Sequence, residues 1–250
     1  MKTTGNSILI TGGATGIGFA LADAFSAAGN EVAICGRRED RLQEAKRRLP
    51  GLRTFRCDVA NAGERKALVG WAVRNAPKLN VLVNNAGIQR MIDLAGRPED
   101  PPPGEDEIET NLRAPIRLSA LFVPQLMKRQ EAAIINVSSG LAFVPLAIMP
   151  VYCATKAALH SFSLSLRHQL RLSAVKVFEL IPPAVDTELD GGAREQRGQE
   201  DRGIRPEEVA AAMLRAFGAD EFEVAVGQAR FLMAGSRSDP EQLFQRMNGA

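Results

Sequence analysis

Several residue types are scarce in this 250-residue chain: it has three cysteines, two histidines, one tryptophan and one tyrosine. The thiols, Cys35, Cys57 and Cys153, are odd in number and sit at neither metal-ligand nor disulfide-framework spacing. That excludes a disulfide scaffold and suits a reducing compartment. Excess charge is also missing. With 31 Lys+Arg against 29 Asp+Glu, the net charge of +2 gives no electrostatic reason to expect nucleic acid or an anionic membrane as partner. The longest apolar run, Leu141 to Val151, falls short of the roughly 20 residues a bilayer requires, and Pro145 and Pro150 interrupt it. No basic-then-apolar leader opens the chain, so the expectation is a soluble, cytoplasmic protein. What remains is ordinary globular material, and a hydrophobic fraction of 45% suffices for a buried core.

Strand-like and helix-like segments alternate along the chain. Ser7 to Thr11, Glu31 to Cys35, Leu52 to Cys57, Leu79 to Asn84, Ala132 to Ser138, Val175 to Ile181 and Phe222 to Val226 read as strands. Gly16 to Ala28, Glu39 to Leu49, Asn61 to Asn75, Asp106 to Lys128 and Tyr152 to Arg171 read as helices. This alternation implies parallel crossovers with helices on both faces of one sheet, an α/β fold. No linker separates two cores, so residues 1–250 are expected to form one domain. Gly96 to Gly104, rich in proline, is expected as an irregular loop. Asp190 to Gly203 has almost no apolar anchor, and a mobile segment is expected over about 185–205.

Between the first strand and the first helix stands Thr11-Gly-Gly-Ala-Thr-Gly-Ile-Gly18. Gly12, Gly16 and Gly18 permit a tight turn and let backbone N–H groups approach a pyrophosphate, which the helix N-terminus also attracts. The spacing Gly-x3-Gly-x-Gly differs from Gly-x-Gly-x2-Gly, but its place in a βαβ unit points to a Rossmann-type, doubly wound dinucleotide site. Where an acid would bind a ribose 2′-hydroxyl, this chain has Cys35-Gly36-Arg37-Arg38. A guanidinium in place of a carboxylate favours a 2′-phosphate, hence NADP(H) over NAD(H). The plainer alternative is that Arg37 and Arg38 pair with Glu39 and Asp40 in solvent.

Tyr152, the only tyrosine, precedes Lys156 by one helical turn, which stacks the two on one face. A cation within about 4–6 Å favours phenolate and lowers the phenol pKa from about 10. Such a pair can exchange a proton near neutral pH, although any solvated helix could carry the same spacing.

Together these pieces resemble the short-chain dehydrogenase/reductase family over nearly the whole chain. The matching residues are the TGGATGIG turn, Asp58, Asn84-Asn-Ala-Gly87, Asn111, Ser138-Ser139 and Tyr152-x-x-x-Lys156. SSGLAFVP, PVYCATKAALHS and PPAVDTEL look more specifically like its DltE-like branch. The resemblance implies hydride transfer between a nicotinamide cofactor and a carbonyl or alcohol, in a homodimer or homotetramer acting on a small molecule. It implies that Tyr152 moves the proton, Ser139 hydrogen-bonds the carbonyl oxygen, and Lys156 tunes Tyr152 and holds a ribose. Asn111 would hold a relay water through its backbone carbonyl. Carried to the cofactor site, the resemblance takes in Thr15, Ile17, Asp58, Val59, Asn85, Ala86, Gly87, Val185 and Thr187. A catalytically idle nucleotide sensor or scaffold on the same fold is the alternative.

Two prolines bear on these roles. In an α-helix the carbonyl of Asn111 accepts from the N–H of residue 115, and Pro115 has none. The relay carbonyl is thereby left open, or the proline merely bends a helix. After the sixth strand the family usually has Pro-Gly, whereas this chain has Pro182-Pro183, so the nicotinamide-side loop is expected to take a different path. Phe143, Pro145, Met149 and Pro150 are expected to line an apolar pocket, the stretch Gly140 to Val151 forming its fixed wall; the alternative is that they simply pack the loop. His160 and His168 are expected at a surface or subunit contact, and Trp71 in packing.

Overall fold

The computed structural model describes residues 1–96, 106–190 and 202–249. Seven strands form one sheet in the order β3-β2-β1-β4-β5-β6-β7, every neighbouring pair parallel. They are β1 Ser7–Thr11, β2 Glu31–Gly36, β3 Arg53–Arg56, β4 Val81–Asn84, β5 Ala132–Val137, β6 Val175–Ile181 and β7 Glu223–Ala225. The helices are α1 Gly16–Ala27, α2 Glu39–Arg48, α3 Ala62–Asn75, α4 Ala114–Leu126, α5 Pro150–Gln169, α6 Pro206–Ala219, α7 Gln228–Ser238 and α8 Pro240–Asn248.

Strands β1, β4 and β5 are buried along their whole length, as continuous apolar runs in parallel sheets require. Alternate residues feed opposite cores, following the strand period of two. Ile8, Ile10, Val83 and Ile135 pack with Phe25 of α1 and Phe217 of α6. Leu9, Leu82 and Ile134 pack with Leu68, Phe122 and Leu166 of α3, α4 and α5. From β1 the chain winds outward through β2 and β3, then returns to lay β4 on the other side of β1. That reversal opens a crevice at the carboxyl ends of β1 and β4, where ligands of doubly wound sheets bind.

Three features depart from expectation. The long helix before β5 is not α-helical throughout: Glu109–Arg113 form a π turn, in which the N–H of Ala114 donates to the carbonyl of Glu109. Pro115 follows in the first turn of α4. Lacking an N–H, it cannot continue an α register from Asn111, and the wide turn lies directly against it. Helices α6, α7 and α8 were not anticipated; Asp239 caps α8 by accepting from the N–H of Gln242 at 3.0 Å. The last strand is shorter than expected. The expectations for Gly96 to Gly104 and Asp190 to Gly203 fall largely outside the described residues.

Candidate active site

The crevice continues into a cleft of about 1300 Å³. Gly12, Thr15, Gly16, Ile17, Gly18, Arg37, Asp58, Val59, Asn85, Ala86, Gly87, Ser139, Tyr152, Lys156, Val185 and Thr187 all line it. Of the anticipated catalytic and cofactor-binding residues only Asn111 stands behind the wall, fully buried.

The glycine turn is held from the neighbouring strand. Thr11 Oγ1 accepts from the N–H groups of Asn85 at 3.0 Å and Ala86 at 3.1 Å. The Asn85 side chain donates to the carbonyls of Thr11 at 2.9 Å and Gly12 at 3.1 Å. Asn85 therefore uses its amide to join β4 to the turn. A Cβ on Gly12 would meet the Cα of Ala86 at 2.8 Å, so the two strand ends approach too closely for any side chain there. Thr15 caps α1 with extended backbone and no side-chain bond to the helix, so its side chain leaves the first-turn N–H groups to other acceptors.

At the far side, Asp58 Oδ1 accepts from the N–H of Ala60 at 2.9 Å, and Glu64 accepts from the N–H of Asp58 at 2.8 Å. Buried Arg65 donates to the carbonyls of Val59 at 2.5 Å and Ala60 at 2.8 Å. These bonds set the loop after β3, and neither Glu64 nor Arg65 carried a motif that would have marked it in the sequence. Trp71 packs on Phe55, ring centroids 5.3 Å apart.

At the other end Tyr152 and Lys156 lie in the first turns of α5, exposed only 6% and 4%. Lys156 Nζ is 5.6 Å from the centre of the Tyr152 ring and donates to the carbonyl of Val137 at 2.8 Å. Burial lowers its pKa to about 8, opposed by the carboxylate of Glu179. Ser139, just past β5, accepts at Oγ from the N–H of Leu141 at 3.1 Å. Accepting there leaves its hydroxyl proton to donate elsewhere. Ser138 instead directs its hydroxyl to the carbonyl of Leu180 at 3.5 Å.

Asn111 ties these parts together. Its side chain accepts from the N–H of Ile88 at 2.9 Å and donates to the Ile88 carbonyl at 2.8 Å. It also donates to Thr155 Oγ1 at 3.3 Å, which in turn donates to the carbonyl of Tyr152 at 2.7 Å. A Cβ on Gly87 would lie 3.4 Å from Asn111 Oδ1 and 3.7 Å from Lys156 Nζ. A buried relay fixes α5 from below: Asn84 donates to Asn136 at 2.8 Å, and Asn136 donates to Ser163 of α5 at 2.9 Å.

The loop after β6 returns to this cleft despite Pro183. The N–H of Gly140 donates to the carbonyl of Pro182 at 2.9 Å, and Val185 and Thr187 reach the cleft lining. The apolar wall differs from expectation. Met149 lines the cleft together with Leu141, Leu146 and Ile148, whereas Pro145 and Pro150 do not reach its lining and Phe143 turns away to pack on His160 with centroids 4.7 Å apart. Leu232 of α7 and Met247 and Asn248 of α8 complete that wall. Asn248 fastens it, accepting from the N–H of Ala147 at 2.7 Å and donating to the carbonyl of Pro145 at 3.1 Å. Roughly a hundred positions separate the two partners, so no local signal announced the contact.

His160 is no simple surface residue. Its Nδ1 lies 2.8 Å from Glu179 of β6, a carboxylate with no exposure. The hydrogen bond to Glu179 raises the His160 pKa, against partial desolvation.

A family model described as short chain dehydrogenase matches residues 6–198. The chain is 52% identical over 248 residues to the uncharacterized oxidoreductase DltE of Bacillus subtilis strain 168, covering 99% of this chain and 98% of the relative. It is 32% identical over 217 residues to the NADP-dependent 3-hydroxy acid dehydrogenase YdfG of Escherichia coli K12, covering 82% and 86%. A short chain dehydrogenase from Burkholderia cenocepacia J2315, solved in complex with NADP, superposes with a TM-score of 0.84 at 27% identity, covering 99% of both chains.

Proposed function

The chain belongs to the short chain dehydrogenase family of oxidoreductases, and from that premise we propose that it is an NADP(H)-dependent carbonyl reductase or alcohol dehydrogenase. The observation that carries this reading is the meeting of Ser139, Tyr152 and Lys156 on one cleft whose other end is the glycine turn. The turn fits a dinucleotide: Cβ atoms on Gly12 and Gly18 would collide with backbone, so glycine is required there for the tight strand–turn–helix junction that sets the N-terminus of α1 at the cleft, where a pyrophosphate binds. NADP(H), when bound there, supplies or accepts the hydride. NADP(H) is favoured because Arg37 and Arg38, with no acid before them, stand at the mouth beyond β2; NAD(H) is the alternative. The NADP-dependent relative YdfG and the NADP-bound Burkholderia protein support the same choice.

The side chains divide the remaining work. Tyr152 holds the proton that the substrate oxygen gains or loses. Ser139 donates a hydrogen bond to that oxygen as negative charge develops on it. Lys156, cationic below about pH 8, favours phenolate at Tyr152. Asn111 positions the segment from Gly87 to Ile88 and the start of α5, and its backbone carbonyl, deprived of an α-helical donor by Pro115, holds the relay water. Leu141, Leu146, Ile148 and Met149 offer the substrate a mainly apolar wall.

Residues 1–250 act as one domain, in a homodimer or homotetramer built on α4 and α5, where Leu121 and Leu164 are exposed. No described helix is long and apolar enough to cross a membrane; the cytoplasm is the location proposed. Following NADPH absorbance against a panel of ketones tests the activity. Turnover that Tyr152→Phe abolishes supports it, and cofactor binding without any turnover refutes it.

A further inference from the structure

Glu188 bridges the loop after β6 to the start of α2. It follows Thr187 in the loop after β6, yet its carboxylate reaches Arg38 at 3.3 Å and Arg41 at 3.2 Å, at the start of α2. Arg38 also donates to Thr15 of the glycine turn at 3.4 Å, and Arg41 also pairs with Glu44 at 3.3 Å. The base of the loop is secured by a parallel bridge between Val185 and Ile204 and by the N–H of Asp186 donating to the Ile204 carbonyl at 2.9 Å. Thr187 lies against the turn, where a Cβ on Gly16 would meet its Cγ2 at 3.0 Å. Glu188 itself is held by ion pairs whose side chains are all more than a third exposed. Such contacts are weak and salt-sensitive.

The two oxygens of one carboxylate each meet a different guanidinium, Oε2 that of Arg38 and Oε1 that of Arg41, and two arginines converging on one small anion is also how a phosphate monoester is held. We infer that Glu188 is a tethered stand-in for the 2′-phosphate of NADP(H). Arg38 and Arg41 form the phosphate-binding forks, and a bound 2′-phosphate, carrying more charge than one carboxylate, displaces Glu188 from them. NAD(H) offers nothing to replace it and leaves the latch fastened across the turn. Cofactor choice is then sensed by the nicotinamide-side loop as well as by the end of β2. Charge on Arg38 and Arg41 favours either anion, so their removal alone does not separate latch from site. Removal of Glu188 does.

The inference rests on the NADP(H) reading, and binding measurements without turnover separate the two. NADPH, NADH, adenosine 2′,5′-bisphosphate and 5′-AMP are titrated calorimetrically into wild type, Glu188→Gln and Arg41→Gln. The latch predicts that Glu188→Gln tightens NADPH and the bisphosphate by about 3- to 10-fold, the span one or two exposed ion pairs can move an equilibrium. NADH and 5′-AMP shift by less than about twofold, and Arg41→Gln weakens NADPH selectively. In wild type, the bisphosphate and not 5′-AMP speeds amide exchange at residues 186–190. Equal wild-type affinity for NADPH and NADH overturns the cofactor reading and the latch with it. A wild-type preference for NADPH that Glu188→Gln leaves unchanged, or a gain shared equally by NADH, overturns the latch alone.

Discussion

Gly18→Ala tests how closely the first turn is built. The residue lies in α1, where alanine is intrinsically favoured over glycine by about 1 kcal/mol, so an open site would be stabilised. The site is not open. A Cβ there would stand 2.2 Å from the carbonyl oxygen of Gly12 and 2.5 Å from Nδ2 of Asn85. Neither neighbour can yield cheaply, because that Nδ2 donates to the carbonyls of both Thr11 and Gly12. The turn must open by roughly 1 Å, with overpacking of about 1–3 kcal/mol and the loss of a hydrogen bond worth about 1 kcal/mol. After the helix gain is subtracted, a net loss of about 1–3 kcal/mol remains. At about 2–4 °C per kcal/mol for a chain of this size, melting should fall by about 2–12 °C. NADPH affinity should fall more than about tenfold, since the displaced backbone is the proposed pyrophosphate cradle. Gly51→Ala is the control, with nothing within 4 Å of its Cβ, and should melt as wild type. Scanning fluorimetry and calorimetric titration read both quantities. A Gly18→Ala protein that melts at or above wild type and binds NADPH normally refutes the reasoning.

Two further outcomes follow from the buried charges. Lys156 should titrate near 8 in the ligand-free protein, and Glu179→Gln should lower it further, since that carboxylate favours the ammonium; NMR of labelled lysine reads it, and a value at the ordinary 10.5 or a rise in the variant contradicts the assignment. The His160–Glu179 contact raises a histidine pKa from 6.5. Its stabilisation is therefore full below that value and fades as pH climbs through the raised one. The melting difference between wild type and His160→Gln should be larger at acid than at alkaline pH, and a pH-independent difference would remove the ion pair from the account.

The sequence announces what depends on neighbouring residues. β1, β4 and β5 stand out because apolar runs end at Gly or Asn, and the glycine turn, Asn84–Gly87 and Tyr152/Lys156 carry their chemistry within a few positions. Pro115 signals that an α register must fail near Asn111, but not the π turn that results, since that width depends on how the chain seats Asn111 against Ile88. Long-range partners were invisible. Arg38 pairs with Glu188, 150 positions away, rather than with the adjacent acids. His160 finds Glu179 across a crossover, and burial of that carboxylate inside an apolar strand is set by sheet order, not by pattern. Helices α7 and α8 bury few residues, Ala229, Leu232 and Leu243. Leu232 and Leu243 acquire meaning only against Val144 of the substrate-side wall, which also explains why Phe143 was misassigned to the pocket.

The central claim is that the Tyr152 phenol moves the proton while a nicotinamide cofactor exchanges hydride with a carbonyl. It is tested most directly by steady-state NADPH oxidation over a ketone panel, comparing wild type with Tyr152→Phe under conditions where both bind NADPH equally. The account predicts wild-type turnover of at least one carbonyl and a fall in kcat of about 10²–10⁴-fold in the variant, the usual contribution of a positioned acid–base group. Full activity in Tyr152→Phe would contradict it.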